Sequence, residues 1–200
     1  IIISIQSEPF YHMFTNPMRE GSSGLATFDV AEKETMEWLI QFMYTKQLPP
    51  LEVSDLLPLL ILSDQFACFP LRAYLVDQIT SSLTTEIACQ VLNLAHYYNF
   101  VRLRRNALDF ISRHFTEIDP LEYLQLPQIV LLDIIFDDNL NVTDEKQVYQ
   151  LITKWGKAIV TSDGWQPSDE WNDAERLEEM KHLLSYVRYP LWSQSDLLAL

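Results

Sequence analysis

Residues 85–115 read TEIACQVLNLAHYYNFVRLRRNALDFISRHF, and this stretch decides the fold. Ile87, Val91, Leu94, Ala95 and Tyr98 recur at helical intervals, and so do Leu103, Ala107, Leu108, Ile111 and Phe115. A period of 3.6 residues gathers each set into one apolar stripe. The short gap between 98 and 101 then predicts two antiparallel helices. The same periodicity continues in both directions. Upstream, residues 33–45 place Met36, Leu39, Ile40 and Met43 on one face, with Glu34, Glu37 and Gln41 on the other. Residues 53–66 and 70–80 form a pair hinged at Cys68-Phe69-Pro70, with proline in the first turn of the second helix. Downstream, Asp119-Pro120 caps and opens a short helix, and Pro127 opens another that runs to about Asp137. Thr143, with Asp144 and Glu145 in the first turn, begins a long helix that buries Val148, Leu151, Ile152, Trp155 and Ile159. Its partner spans roughly 174–187 through Leu177, Met180, Leu184 and Val187, and Ser193 with Asp196 caps a last helix.

Strand signals are few. Leu25 to Val30 alternates apolar and polar side chains, and Ile1 to Ile5 reads as the end of a second strand, with a short aromatic helix over Glu8 to Thr15 between them. The chain has four glycines, two of which, Gly21 and Gly24, share one loop. It therefore lacks the turn chemistry of a many-stranded sheet. Residues 161–173 form the one long polar loop, without a periodic apolar face. The expected fold is mainly α with a small β component, its two halves meeting near residues 80–85.

The chain has 200 residues, 48% of them hydrophobic and 21% charged, with a net charge of -14. A chain of this length buries roughly 70% of its unfolded surface, as one domain or two small ones. Residues 1–100 carry 4 basic against 11 acidic side chains and residues 101–200 carry 10 against 17, so neither half is a basic module. That balance argues against nucleic acid and anionic membrane as partners, since both are gripped by clustered Lys and Arg. Cys68 and Cys89 lie in apolar helical surroundings, which suits a reducing compartment, cytoplasmic or nuclear. Asn141-Val142-Thr143 is a glycosylation sequon read as a chance match. The longest apolar stretches, Leu56 to Leu62 and Ile129 to Phe136, are broken by Pro58 and Asp133 and fall short of the ~20 residues of a membrane helix. The start, Ile1-Ile2-Ile3-Ser4-Ile5, has no charged region before it and does not read as a signal peptide; it looks cut into mid-element.

Enzyme motifs are sparse. Gly156-Lys157 resembles the end of a phosphate loop, but residue 151 is Leu and the dipeptide falls inside a helix. No dinucleotide fingerprint or nucleophile elbow occurs. His12, His96, His114 and His182 keep no ligand spacing with one another or with a cysteine. The pairs Asp137-Asp138 and Glu178-Glu179 read as a loop and a solvated helix face. No catalytic residue, metal site or cofactor is expected. Three features stand out. Phe10, Tyr11, Met13 and Phe14 crowd a segment that runs into the polar Asn16-Pro17-Met18-Arg19-Glu20. Arg102, Arg104 and Arg105 open a helix, where cations oppose the dipole, and ion pairing such as Arg105 with Asp109 is the simplest explanation. Trp165 and Trp171 sit in the polar loop, where each needs a cover or a partner and is expected to be partly exposed.

The order of these signals resembles a known family. Ser7-Glu8-Pro9-Phe10-Tyr11-His12-Met13-Phe14, Met18-Arg19-Glu20, Phe28-Asp29-Val30 and Trp38-Leu39-Ile40-Gln41-Phe42-Met43-Tyr44-Thr45-Lys46 are similar to the later two thirds of a BTB (POZ) domain. Val91 to Phe100, with Leu103-Arg104 and Ala107 to Ile111, is similar to the first helical hairpin of a BACK domain. The end, Leu183 to Leu191, resembles the closing segment of that domain in kelch-like proteins. The resemblance implies a truncated BTB/POZ α/β domain over 1–82, followed over 83–200 by an all-α BACK domain of antiparallel helical hairpins.

It also implies a role. Proteins of this kind commonly act as substrate-specific adaptors of cullin-3 RING E3 ubiquitin ligases. In that family a hydrophobic-x-Glu motif contacts the cullin, and Met18-Arg19-Glu20 fits it. Tyr11 and Phe14 are further cullin-facing candidates, and residues 85–119 correspond to a hairpin that helps form a groove for the cullin's N-terminal extension. Trp165 and Trp171 are candidates for contact with an unknown substrate protein or other partner. Homodimerisation through the BTB domain is implied too, although the strand and helix supplying most of that interface precede Ile1. The alternative is a BTB-BACK oligomerisation scaffold or transcriptional co-regulator with no cullin binding.

Overall fold

The computed structural model describes residues 2–15, 32–142, 144–161, 164–166 and 174–187, with backbone alone at Ile2, 159–161, 164–166 and 174–176. The chain divides into two compact units, Ile1–Ser82 and Leu83–Leu200. Helices dominate both, so the mainly α fold class expected from the periodicity stands.

The first unit contains α1 (Ile2–Gln6), α2 (Glu8–Thr15), α3 (Lys33–Thr45), α4 (Val53–Gln65) and α5 (Phe69–Ser81). The isoleucine run that reads as a strand end is therefore helical. β-Branched residues favour strands only weakly, and tertiary contacts override the preference. Here Gln6 Nε2 donates to the Met43 carbonyl at 2.7 Å, which ties α1 to α3. Ser7 then separates α1 from α2: its hydroxyl accepts from the Phe10 N–H at 3.3 Å and donates to the Phe66 carbonyl at 2.5 Å. The expected strand over residues 25–30 lies outside the described residues.

Helix α3 spans the range its periodicity predicts and stops at Lys46, whose left-handed φ of 59° turns its N–H back to the Phe42 carbonyl. Its buried side chains are Thr35, Leu39, Phe42 and Met43, while Met36 and Ile40 are half-buried. The face is turned because Phe42 packs inward against Tyr74, with ring centroids 6.0 Å apart. Helix α4 buries Leu56, Leu57, Leu59, Leu60 and Leu62 and keeps Pro58 on its exposed side. Between α4 and α5, Cys68 N–H reaches the Ser63 carbonyl at 2.7 Å through a left-handed Ala67 (φ 50°). Arg72 and Asp64 pair at 2.6 Å across the same turn.

The second unit contains α6 (Ala88–Tyr97), α7 (Val101–Arg113), α8 (Pro120–Leu124), α9 (Gln128–Ile135), α10 (Glu145–Gly156), β1 (Ile159–Thr161), β2 (Gly164–Gln166) and α11 (Ala174–Leu184). Helices α6 and α7 form the predicted hairpin. Val91, Leu92 and Ala95 of the first and Leu103, Ala107 and Ile111 of the second are buried. Tyr98, assigned to the buried stripe by spacing, is instead exposed, because the helix has ended and Tyr98 is its C-cap.

Asp119 caps α8 as expected, accepting from the Leu121 N–H at 2.9 Å. Asp144, and not Thr143, caps α10: its carboxylate accepts from the Lys146 N–H at 3.0 Å. Trp155 is fully buried and donates its indole N–H to the Leu126 carbonyl at 2.8 Å, fixing α10 to the α8–α9 junction. The helix ends at Gly156, so Ile159 falls in a strand and not on the helix face. β1 and β2 pair antiparallel with Ile159 opposite Gln166, Val160 opposite Trp165 and Thr161 opposite Gly164. Residues 161–173 therefore include a strand where a loop was expected. Polar composition hid it, since three residues are too few to show an alternating pattern. Helix α11 and the turn after it bury Met180, Leu183 and Val187, with Leu177 and Leu184 half-buried.

Both cysteines are free thiols inside the core. Burial, and then the charge of Glu122, pushes the Cys89 thiol up to about 12. Burial also raises Cys68.

Candidate functional site

Helix α2 carries the aromatic segment, and its two faces differ. Phe10 is buried, stacked on Phe66 at 4.5 Å and on Phe14 at 6.2 Å. Tyr11 and Phe14 point outward, 50% and 38% exposed, one turn apart. Residues three apart share a helix face, so the two rings form one apolar surface. Thr15 donates its hydroxyl to the Tyr11 carbonyl at 2.6 Å, and His12 lies 3.5 Å from Glu8 one turn back. The helix is rooted at its start by the Ser7 cap and along its length by the Phe10–Phe66 stack. Two of the four residues expected to face a cullin are thus exposed on a helix held by core contacts. The other two, Met18 and Glu20, lie outside the described residues. Trp165 has its backbone in β2, paired with Val160. Its side chain, and Trp171 altogether, lie outside the described residues.

The arginines of α7 are arranged differently from the expectation. Arg104 of this helix pairs with Asp133 of α9, and among the described residues Arg105 makes no ion pair with Asp109. Asp109 uses its carbonyl to accept from Arg113 Nε at 2.9 Å. The pairing is long-range in sequence, and no local spacing rule reveals it. Equally hidden is a cleft of about 160 Å³ lined by Phe115, Ile118, Tyr123, Gln147, Leu151 and Lys154 among others. Tyr123 closes its inner wall by donating to the Phe115 carbonyl at 3.1 Å.

Among the described residues, no three His, Cys, Asp or Glu side chains converge to hold a metal, and no helix is long and apolar enough to cross a membrane. Asn141 of the sequon donates its side-chain amide to the Arg113 carbonyl at 3.2 Å, a packing role.

Comparison with known proteins agrees with the fold. Residues 88–167 match the family described as BACK, BTB And C-terminal Kelch. That segment is thus similar to a BACK domain, and the chain as a whole is similar to kelch-like and BTB/POZ domain-containing proteins. It is 27% identical over 198 residues to Kelch-like protein 7 of Homo sapiens and to that of Rattus norvegicus, covering 98% of this chain and 31% of each relative. It is also 26% identical over 206 residues to a BTB/POZ domain-containing protein of Arabidopsis thaliana, covering 96% of this chain and 26% of that one. The chain thus spans less than a third of the length of the curated relatives it matches.

Proposed function

We propose that the chain is part of a substrate-specific adaptor, non-catalytic itself, that links a substrate protein to a cullin-3 RING E3 ubiquitin ligase in the cytoplasm, the nucleus or both. Residues 1–82 form the BTB half, which docks the cullin and homodimerises, and residues 83–200 form the BACK half. The observation that supports this most is the exposed Tyr11–Phe14 pair on α2, immediately before Met18-Arg19-Glu20, in a chain similar to kelch-like and BTB/POZ domain-containing proteins. Phe14 stacks on the buried Phe10, so its ring loses little freedom on binding. An unbranched Met18 adapts to an apolar pocket, and the Glu20 carboxylate adds a charge-assisted hydrogen bond that sets register. Trp165 and Trp171 contact the substrate or another partner.

The test is interferometry on immobilised cullin-3 N-terminal domain, using the chain extended by the N-terminal strand and helix of a BTB domain. Replacing Tyr11 and Phe14 by Ala is expected to weaken binding at least about tenfold, as for aromatic anchors at interface centres. The melting temperature should fall only slightly, because Tyr11 is half exposed and Phe14 covers just one face of Phe10. Binding unaffected by the double variant would overturn the role of α2. No binding by the extended protein would favour the scaffold alternative.

A further inference from the structure

The cleft between α8 and α10 carries a polar group that the protein itself does not satisfy. Gln147 of α10 lines it, and Gln147 Oε1 is buried with no hydrogen-bond partner, the only such side-chain atom among the described residues. A buried acceptor left unpaired is costly, and in a native fold it calls for an explanation.

The rest of the cleft divides into floor and mouth. Its floor is apolar and held in shape: Phe115, Ile118, Tyr123 and Leu151 are buried, the Phe115 and Tyr123 rings lie 5.3 Å apart, and the Tyr123 hydroxyl donates to the Phe115 carbonyl. Lys154 is exposed, which puts it at the mouth, and it is the one charged side chain in the described lining. Gln147, Leu151 and Lys154 follow at i, i+4 and i+7 along α10, so an acceptor, an apolar wall and a cation stand in a row on one helix face. The volume of about 160 Å³ sets the size of an occupant, since a dry cavity of ~150 Å³ accepts benzene. The floor takes one ring or one branched aliphatic group. Gln147 Oε1 then asks for an N–H, and Lys154 for an anion. A peptide's C-terminal residue carries all three on one α-carbon: an amide N–H, a side chain and a carboxylate.

We propose that the α8–α10 cleft captures the C-terminal residue of a partner protein when that residue is Phe or Leu, with its side chain on the Phe115–Tyr123 floor, its N–H on Gln147 Oε1 and its carboxylate on Lys154. Charge and size select this occupant. A nucleotide exceeds the volume and would bring several negative charges to a single lysine on a chain of charge -14. The site goes beyond the cullin reading and does not depend on it.

Fluorescence anisotropy on the whole protein tests the cleft with fluorescein-labelled Gly-Ser-Gly-Ser-Phe bearing a free C-terminal carboxylate, beside the same peptide ending in Phe-amide and one ending in Ala. The Phe acid is expected to bind saturably, and the other two at least about tenfold more weakly. Lys154→Gln should weaken the Phe acid by about tenfold at unchanged melting temperature, since Lys154 is exposed. Gln147→Leu should weaken it by a similar factor without lowering the melting temperature, because it removes the unpaired acceptor. Equal binding of acid and amide, equal binding of the Phe and Ala forms, no binding of any, or unchanged affinity in both variants would overturn the proposal. Displacement of the probe by phenylacetate at the concentration at which unlabelled peptide displaces it would make the occupant a small acid and overturn it as well. Gln147 and Lys154 lie outside α2 and outside residues 85–119, so both variants should bind the cullin domain as the unmodified protein does, and failure here is distinguishable from failure of the cullin reading.

Discussion

Met180 fills the space that a β-carbon on Gly156 would need: its Sδ, Cγ and Cβ lie 2.5, 2.6 and 2.8 Å from that position. The missing side chain lets α10 and α11 approach closely. Gly156→Ala is therefore expected to destabilise the protein by about 1–3 kcal/mol, the usual cost of overpacking. The better helix propensity of Ala returns at most about 1 kcal/mol, and less at the last residue of a helix. The net sign is destabilising, visible as a lower melting temperature. Met180→Ala introduced together with Gly156→Ala should recover part of the loss in a double-mutant cycle. An unchanged melting temperature for Gly156→Ala alone would show that the two helices separate freely.

Ala67 makes the opposite prediction. Its φ of 50° places an L side chain in the left-handed region, which costs about 1–2 kcal/mol and which glycine enters freely. Glycine in turn loses about 0.5–1 kcal/mol of chain entropy on folding. Ala67→Gly should raise stability by up to about 1 kcal/mol, measured by urea denaturation at unchanged m-value. A fall in stability would mean that the methyl group's packing outweighs the backbone strain.

What the sequence reveals depends on how local each signal is. Helix α3 came out over its full range from periodicity alone, and Asp119-Pro120 marked the start of α8, because both signals are local. The isoleucines of α1 misled for the converse reason: their local preference for strand is weak beside the Gln6–Met43 bond, formed with a residue 37 positions away. Spacing placed Ile159 on the face of α10, but Gly156 ended the helix first. In the candidate site, the aromatic crowding of Phe10 to Phe14 was visible, yet which rings face outward depended on Phe66, far along the chain. The Arg104–Asp133 pair had no local signal at all, whereas the nearer Arg105–Asp109 spacing suggested a bond that is not made.

Glu122 should make stability depend on pH. Burial, then Asp119 and Glu86, hold its carboxyl above the ordinary range in the folded protein. An acid whose folded pKa is raised opposes folding once it ionises, so this cost grows as pH rises from the unfolded Glu value of about 4.3 through the folded one. Glu122→Gln is expected to raise the melting temperature at pH 7. The gain should shrink toward zero when the comparison is repeated below about pH 4. A gain of equal size at both pH values would assign the effect to packing.

Cullin binding is tested most directly by titration calorimetry of the cullin-3 N-terminal domain with the chain extended by the N-terminal strand and helix of a BTB domain. The variant Met18→Asp with Glu20→Ala is measured beside it. Saturable heat from the unmodified protein and at least about a tenfold loss of affinity in the variant are predicted. Absence of heat from the folded, extended protein, or equal affinity of the variant, would contradict the adaptor function.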